Sequence, residues 1–178
     1  MGVGTSREAF CEALAALVGC PCWDVSAGRG TGSFVLMSLG KKIPRKQELP
    51  NPRLEPEKRR FRGEYVLYIM SSWRLDSAKQ VVCGAWDDSS PGGPMLKGLA
   101  CLVGTTVSGF SLDRVALDLD IQFSNDLRMK IFCDQWNVGQ WENYWLSTSS
   151  GVHVAGLRSE LRFEAPSPSE KGQAEATR

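Results

Sequence analysis

The stretch 117-LDLDIQFSNDLRMKIFC-133 alternates apolar and polar side chains on both sides of a short polar break. This period of two is typical of β-strands that bury one face. A loop of three residues keeps the apolar side chains on one face, because it places Phe123 opposite Leu127. The same register sets Asp120 opposite Lys130, a favourable cross-strand pair on the wet face. The sequence therefore predicts an antiparallel hairpin with one buried face.

A segment near the start of the chain recurs in its second half. LAALVG at 14–19 returns 85 residues later as LACLVG at 99–104. A strand with alternating apolar residues follows each copy, at an offset of 84. Self-similarity at a fixed offset indicates a repeated structural unit. We therefore predict two pseudo-repeated helix–strand units, spanning about 6–90 and 94–160.

Each unit opens with a predicted helix. Apolar residues over 6–18 recur at spacings of three and four, and Gly19 supplies a left-handed stop. The second helix covers about 94–103 and ends at Gly104. Strands dominate the remainder, and short connections make antiparallel pairing the default. The predicted fold is α+β, with one antiparallel, strongly curved sheet and two short helices.

Two segments lie outside this scheme within a single predicted domain, 1–163. The segment 40–62 holds nine Lys or Arg, three Glu and four Pro, which predicts a long exposed basic loop. The polar tail 164–178 is predicted to be disordered. No apolar run reaches the length of a membrane span, and the N-terminus does not resemble a signal peptide. We expect a cytoplasmic protein.

Catalytic and metal-binding patterns are weak in this sequence. Cys20 and Cys22 are separated by one residue, and the single histidine offers no pair for a zinc site. Four of the six cysteines lie in apolar surroundings, and we expect reduced, buried thiols. We expect a non-enzymatic protein without a cofactor. A small-ligand or hydrolase-type module that uses Cys133 and His153 with the glycine loop at 28–32 is the alternative from another class.

The segment 134–144 combines aromatic rings with amide and acidic side chains, a mixture found at protein interfaces. We expect Trp136 and Trp141 to anchor a protein partner. The net charge of +1 disfavours duplex nucleic acid, although the basic loop at 40–62 keeps nucleic-acid binding as an alternative. The remaining residues of the expected partner-binding site are Asp134, Gln135, Asn137, Tyr144 and Arg74.

Two packing motifs, L-x-x-L-x-G and W-R-[LI], accompany the hairpin at 117–132. Together they resemble a set of small bacterial proteins regarded as immunity or accessory factors of toxin and phage-defence systems. The resemblance implies another protein as partner, a toxin or a defence-system subunit, and no membrane. It brings no catalytic residue. The matching residues are Leu14, Leu17, Gly19, Trp73, Arg74, Leu75, Leu99, Leu102 and Gly104.

Overall fold

The computed structural model describes residues 6–28, 31–134, 142–156 and 160–165. Within these residues the chain forms an α+β fold of antiparallel strands and a few short helices, as predicted. The helices are α1 (Ser6–Ala15), α2 (Pro56–Arg60) and α3 (Pro94–Ala100). None of them is long and apolar enough to cross a membrane. The strands are β1 (Cys22–Gly28), β2 (Gly32–Pro44), β3 (Phe61–Ile69), β4 (Trp73–Asp76), β5 (Val81–Gly84), β6 (Val107–Leu112), β7 (Leu119–Phe123), β8 (Arg128–Ile131), β9 (Tyr144–Ser147), β10 (Val152–Ala155) and β11 (Leu161–Glu164).

The described strands form two sheets, so the prediction of one strongly curved sheet is wrong. Sheet I has the order β1-β2-β3-β9-β10-β11, and sheet II has the order β5-β4-β8-β7-β6. The chain leaves sheet I after β3 and enters sheet II at β4. Two sheets are favoured because each has one apolar face, and the two faces bury each other. The apolar residues of both sheets accordingly belong to one core cluster.

Each half of the chain contributes strands to both sheets. In sheet I, β1–β3 from the first half lie beside β9–β11 from the second half. In sheet II, β6–β8 from the second half lie beside β4 and β5 from the first half. Each half therefore keeps three successive strands together and sends its following strands into the other sheet. The two halves are interlocked.

Residues 85 positions apart make the same backbone contact where the halves meet. The amide of Gly19 donates to the Val107 carbonyl at 2.8 Å, and the amide of Gly104 donates to the Cys22 carbonyl at 2.7 Å. Gly19 and Gly104 have φ of 89° and 85°, a left-handed conformation that glycine adopts without steric cost. The glycine stops of the two predicted units therefore both follow a helix and join the halves.

In each half, a buried aromatic residue is the first residue of the strands that join the other sheet, β4–β5 in the first half and β9–β11 in the second. Trp73, the first residue of β4, donates its indole N–H to the Ser33 carbonyl at 2.7 Å. Tyr144, the first residue of β9, donates its hydroxyl to the Leu117 carbonyl at 2.8 Å. The two acceptors lie 84 positions apart, which is the offset of the strands that follow them. The halves thus share a side-chain contact as well as a strand order.

The helices α1 and α3 pack against different edge strands of the two sheets. The helix α3 contacts β1 of sheet I and β5 of sheet II, and α1 contacts β6 of sheet II and β11 of sheet I. The approach of α3 is close, because a Cβ on Gly98 would overlap the Cys83 Sγ. Each of these helices therefore bridges edge strands of both sheets.

The hairpin predicted from the alternating stretch is confirmed. β7 and β8 pair antiparallel with Asp120 opposite Lys130, and the amide of Phe123 donates to the Leu127 carbonyl at 2.9 Å. The ion pairs differ from the expected one, because β4 brings Asp76 alongside β8. The Lys130 Nζ lies 3.4 Å from the Asp76 carboxylate.

The segment 40–62 is structured along much of its length. The strand β2 continues to Pro44, α2 begins at Pro56, and β3 begins at Phe61. Proline is tolerated in the first turn of a helix, because a backbone N–H at that position has no acceptor within the helix. Glu164, the first residue of the expected tail, lies in β11. Residues 166–178 lie outside the described residues.

Candidate protein-binding surface

The outward face of sheet I carries a row of apolar side chains across its strands. The strand register aligns Leu36 of β2, Tyr68 of β3, Trp145 of β9 and Val154 of β10. These positions alternate with core residues, so their side chains point away from the core. The rings of Tyr68 and Trp145 stack with centroids 4.8 Å apart. We call these four residues the aromatic row.

The aromatic row is partly open to solvent. Leu36, Tyr68 and Trp145 are half-buried, and Val154 is buried among its neighbours. Stacking fixes the two rings against each other before any partner arrives, which lowers the entropy lost on binding. The row therefore offers a rigid apolar surface.

The outward face of sheet II is charged at the matching positions. The register of sheet II aligns Arg74 of β4, Lys130 of β8 and Asp120 of β7. In the two related halves, β4, β8 and β7 of sheet II take the places of β9, β3 and β2 of sheet I. Arg74, Lys130 and Asp120 therefore correspond to Trp145, Tyr68 and Leu36. Charged side chains are what a solvated sheet face requires. The shared framework therefore does not impose aromatic residues on sheet I.

Arg74, an expected partner-binding residue, belongs to an ion-pair network on sheet II. Its Nε lies 2.8 Å from the Asp76 carboxylate, which Lys130 also approaches. Burial alone would raise the pKa of Asp76, but the hydrogen bonds and charges of Arg74 and Lys130 lower it below its ordinary value. These side chains satisfy one another and keep this face polar.

The segment between β2 and β3 covers part of the outward face of sheet I. The Lys58 Nζ lies 2.6 Å from a carboxylate oxygen of Asp24, and the Ser26 hydroxyl donates to the other oxygen at 3.1 Å. Asp24, Ser38 and Val66 are all buried, although they share the face of the aromatic row. The segment therefore borders the row and leaves the row itself uncovered.

Much of the basic charge of segment 40–62 is used within the fold. Lys42 pairs with Glu57 at 2.6 Å, and Arg59 pairs with Glu48 at 3.1 Å. The Arg45 Nε donates to the Phe61 carbonyl at 3.0 Å. These contacts hold the segment in place and reduce the charge available to a phosphate backbone. Exposed cations remain at Lys41, Lys46, Arg53 and Arg62.

The expected site at 134–144 is only partly described. Asp134 is exposed, and its carboxylate accepts a hydrogen bond from the Ser72 amide at 3.3 Å. Tyr144 is fully buried, so it belongs to the core and not to a contact surface. Its alternation with the outward Trp145 follows from the strand period of two. The expected residues Gln135, Trp136, Asn137 and Trp141 lie outside the described residues.

The alternative based on Cys133 and His153 receives no support from their surroundings. Burial raises the pKa of the Cys133 thiol to about 12, and the charges of Asp118 and Asp134 add to the shift. A nucleophilic cysteine needs the opposite shift. The His153 ring is buried between Phe10 and Phe163, with centroid distances of 5.5 and 4.8 Å. Both side chains have packing roles.

An open cleft of about 340 Å³ lies beside the outward face of sheet II. Two of its acidic side chains, Asp113 and Asp118, accept hydrogen bonds from the backbone. The Asp113 carboxylate accepts hydrogen bonds from two nearby amides, and Asp118 accepts one from the Cys133 amide at 2.8 Å. Within the described ranges, no group of three metal-binding side chains occurs. The cleft therefore resembles a structural feature of the sheet more than a reaction site.

Sequence reasoning missed the aromatic row. Strand alternation places Tyr68 on the face of Val66, and Trp145 between the core residues Tyr144 and Leu146, so each ring points outward from its own strand. The contact between the two rings depends on the pairing of β3 with β9, which no local pattern reveals.

Comparisons with protein-family models, with curated proteins and with solved structures find no match to this chain.

Proposed function

We propose that this chain is a non-enzymatic protein-binding module whose contact surface is the aromatic row. The observation that carries the proposal is the contrast between the two sheets. Trp145 and Tyr68 occupy positions where sheet II has Arg74 and Lys130. The framework does not require this difference, which leaves two apolar rings partly accessible to solvent and favours a role in binding.

The surroundings of the row suit a protein interface. Interfaces combine a central apolar patch with a polar rim, and tryptophan and tyrosine are enriched among the residues that dominate affinity. The Lys58–Asp24 pair borders the row on the side of β1. Arg162 of β11 pairs with Glu142 on the other side. A partner would therefore meet apolar rings in the middle and charges at both ends.

The resemblance to immunity and defence-accessory proteins supports a partner of that kind. We propose a toxin or another subunit of a bacterial defence system as the partner, and a cytoplasmic location for the complex. The six cysteines carry free thiols in this structure, which fits a reducing compartment. A binding module also accounts for the inert surroundings of Cys133 and His153.

Site-specific photo-crosslinking tests the proposal. p-Benzoylphenylalanine is placed at Trp145 in one variant and at Arg74 in a matched control, which occupies the corresponding strand position on sheet II. We expect one dominant adduct with another protein from position 145 and none from position 74. Identical adduct patterns from both positions would refute the aromatic row as the contact surface.

Affinity measurements on the captured partner complete the test. We expect Trp145→Ser to weaken binding by about 30-fold, the effect of losing one anchor residue. Arg74→Ser should change affinity less than about threefold. The melting temperature of each variant separates loss of contact from loss of folding. An equal loss of affinity in both variants would contradict the proposal.

A further inference from the structure

Trp86 is the most exposed large apolar side chain among the described residues, with 93% of its surface accessible. It lies two residues after the end of β5, in the connection that leads to α3. Tryptophan is usually largely buried, and an exposed indole gains nothing for folding. An explanation for Trp86 must therefore come from outside the packing of this chain.

The turn that carries Trp86 is rigidly built. The Gly84 amide donates to the Asp87 carboxylate at 2.8 Å, and the Asp87 amide donates to the Gly84 carbonyl at 3.2 Å. The next residues are held as well, because the Ser90 amide and hydroxyl both donate to the Asp88 carboxylate. The indole is therefore presented on a fixed backbone, which reduces the entropy lost when it binds.

The other half of the chain shows that this position does not need a large side chain. Trp73 and Tyr144 begin corresponding strands, and they lie opposite Ala85 and Ala155 respectively. The residue after Ala155 is Gly156, which is buried, and a Cβ there would lie 2.9 Å from the Glu142 Oε2. One half thus has a closely packed glycine where the other half exposes an indole.

We infer that the turn around Trp86 is a second interaction site, at which the indole enters an apolar pocket of a partner protein whose rim carries Lys or Arg. The basic rim follows from charge complementarity, because the exposed Asp87 and Asp88 directly follow Trp86 in the turn. The same carboxylates disfavour insertion into an anionic lipid surface. The site is separate from the aromatic row and stands on its own observations.

Photo-crosslinking followed by affinity measurement tests this inference. p-Benzoylphenylalanine is placed at Trp86, with Val115 as the matched control because it is also apolar and 75% exposed. We expect a protein adduct from position 86 that position 115 does not give. With that protein purified, Trp86→Ala should weaken binding by about 30-fold, Trp86→Phe by less, and Val115→Ala by under twofold. Raising the salt concentration should also weaken binding, because the rim contacts are ionic.

Other outcomes would overturn the inference. An adduct of two copies of this chain would identify self-association instead of a partner pocket. Vesicles of phosphatidylcholine and phosphatidylglycerol that shift the tryptophan emission of the natural protein, but not that of Trp86→Phe, would identify a lipid site. Unchanged affinity in Trp86→Ala would refute Trp86 as the anchor of the contact. Binding that does not depend on salt would refute a basic rim on the partner. Adducts at position 145 are evaluated separately, so the proposal for the aromatic row can be supported or refuted independently of the proposal for Trp86.

Discussion

Replacing Lys58 with methionine should destabilise the fold by removing the cation that neutralises a buried carboxylate. Lys58 Nζ lies 2.6 Å from Asp24, whose side chain is 9% exposed, while the Lys58 side chain is 28% exposed. Methionine keeps most of the length and apolar character of the lysine stem. The substitution therefore tests the charge more than the packing.

The magnitude follows from the burial of the pair. Breaking a fully buried ion pair costs about 3–5 kcal/mol, because one charge is left without compensation. An exposed pair contributes about 0–1 kcal/mol. Asp24 is close to the buried limit, but Lys58 is not, and the Ser26 hydroxyl still donates to the carboxylate. We expect Lys58→Met to lower the free energy of unfolding by about 2 kcal/mol.

Urea unfolding at pH 7, followed by tryptophan fluorescence, measures this change. Lys42→Met is the control, because Lys42 pairs with Glu57 at the same distance of 2.6 Å but with side chains that are 41% and 52% exposed. The control should cost about 0.5 kcal/mol. Amide exchange of Leu49, which donates to the Arg59 carbonyl, reports local release of the segment. If Lys58→Met costs no more than Lys42→Met, the buried pair does not anchor this segment.

Two further predictions concern buried polar groups. Tyr144→Phe removes the 2.8 Å hydrogen bond to the Leu117 carbonyl, which still accepts a hydrogen bond from the Cys133 thiol. Urea unfolding should show a free energy of unfolding that is lower by about 1 kcal/mol. An unchanged free energy of unfolding would contradict a stabilising role of this hydrogen bond. Burial lowers the pKa of His153 below its ordinary 6.5, so the unfolded chain takes up a proton first and stability should fall as the pH drops below about 6.5. The melting temperature of His153→Leu should decline less between pH 7 and pH 5, and an unchanged slope would exclude His153 as the source.

The hairpin of β7 and β8 was predictable because its register depends on residues that are close in sequence. Alternation fixed which side chains face the core, and a short loop fixed which residues are opposite. The split into two sheets was not predictable in this way. The residues Trp73 and Leu75 alternate with polar neighbours whether β4 extends β3 or enters another sheet. Only the long-range pairing of β4 with β8 decides between these arrangements.

Candidate functional residues were harder to predict, because exposure depends on distant parts of the chain. Trp145 and Tyr144 are adjacent in sequence, yet Tyr144 is fully buried and Trp145 is half-buried, with its ring on the opposite face. The prolines of segment 40–62 indicated an open loop, but Pro56 lies in the first turn of a helix that Lys58 ties to Asp24. The ionic contact that decides the outcome joins residues far apart in the sequence.

The exchange of strands between the halves has a consequence for how the protein is made. During synthesis, the first half leaves the ribosome with β3 exposed along one side, because its neighbour β9 has not yet been translated. Sheet II must likewise wait for β8 before β4 gains its second neighbour. Pairing between such distant segments is slow, since the intervening chain must be ordered first. We therefore expect both sheets to be completed only after the second half has been synthesised, and the nascent first half to carry the unpaired strand edges that favour aggregation.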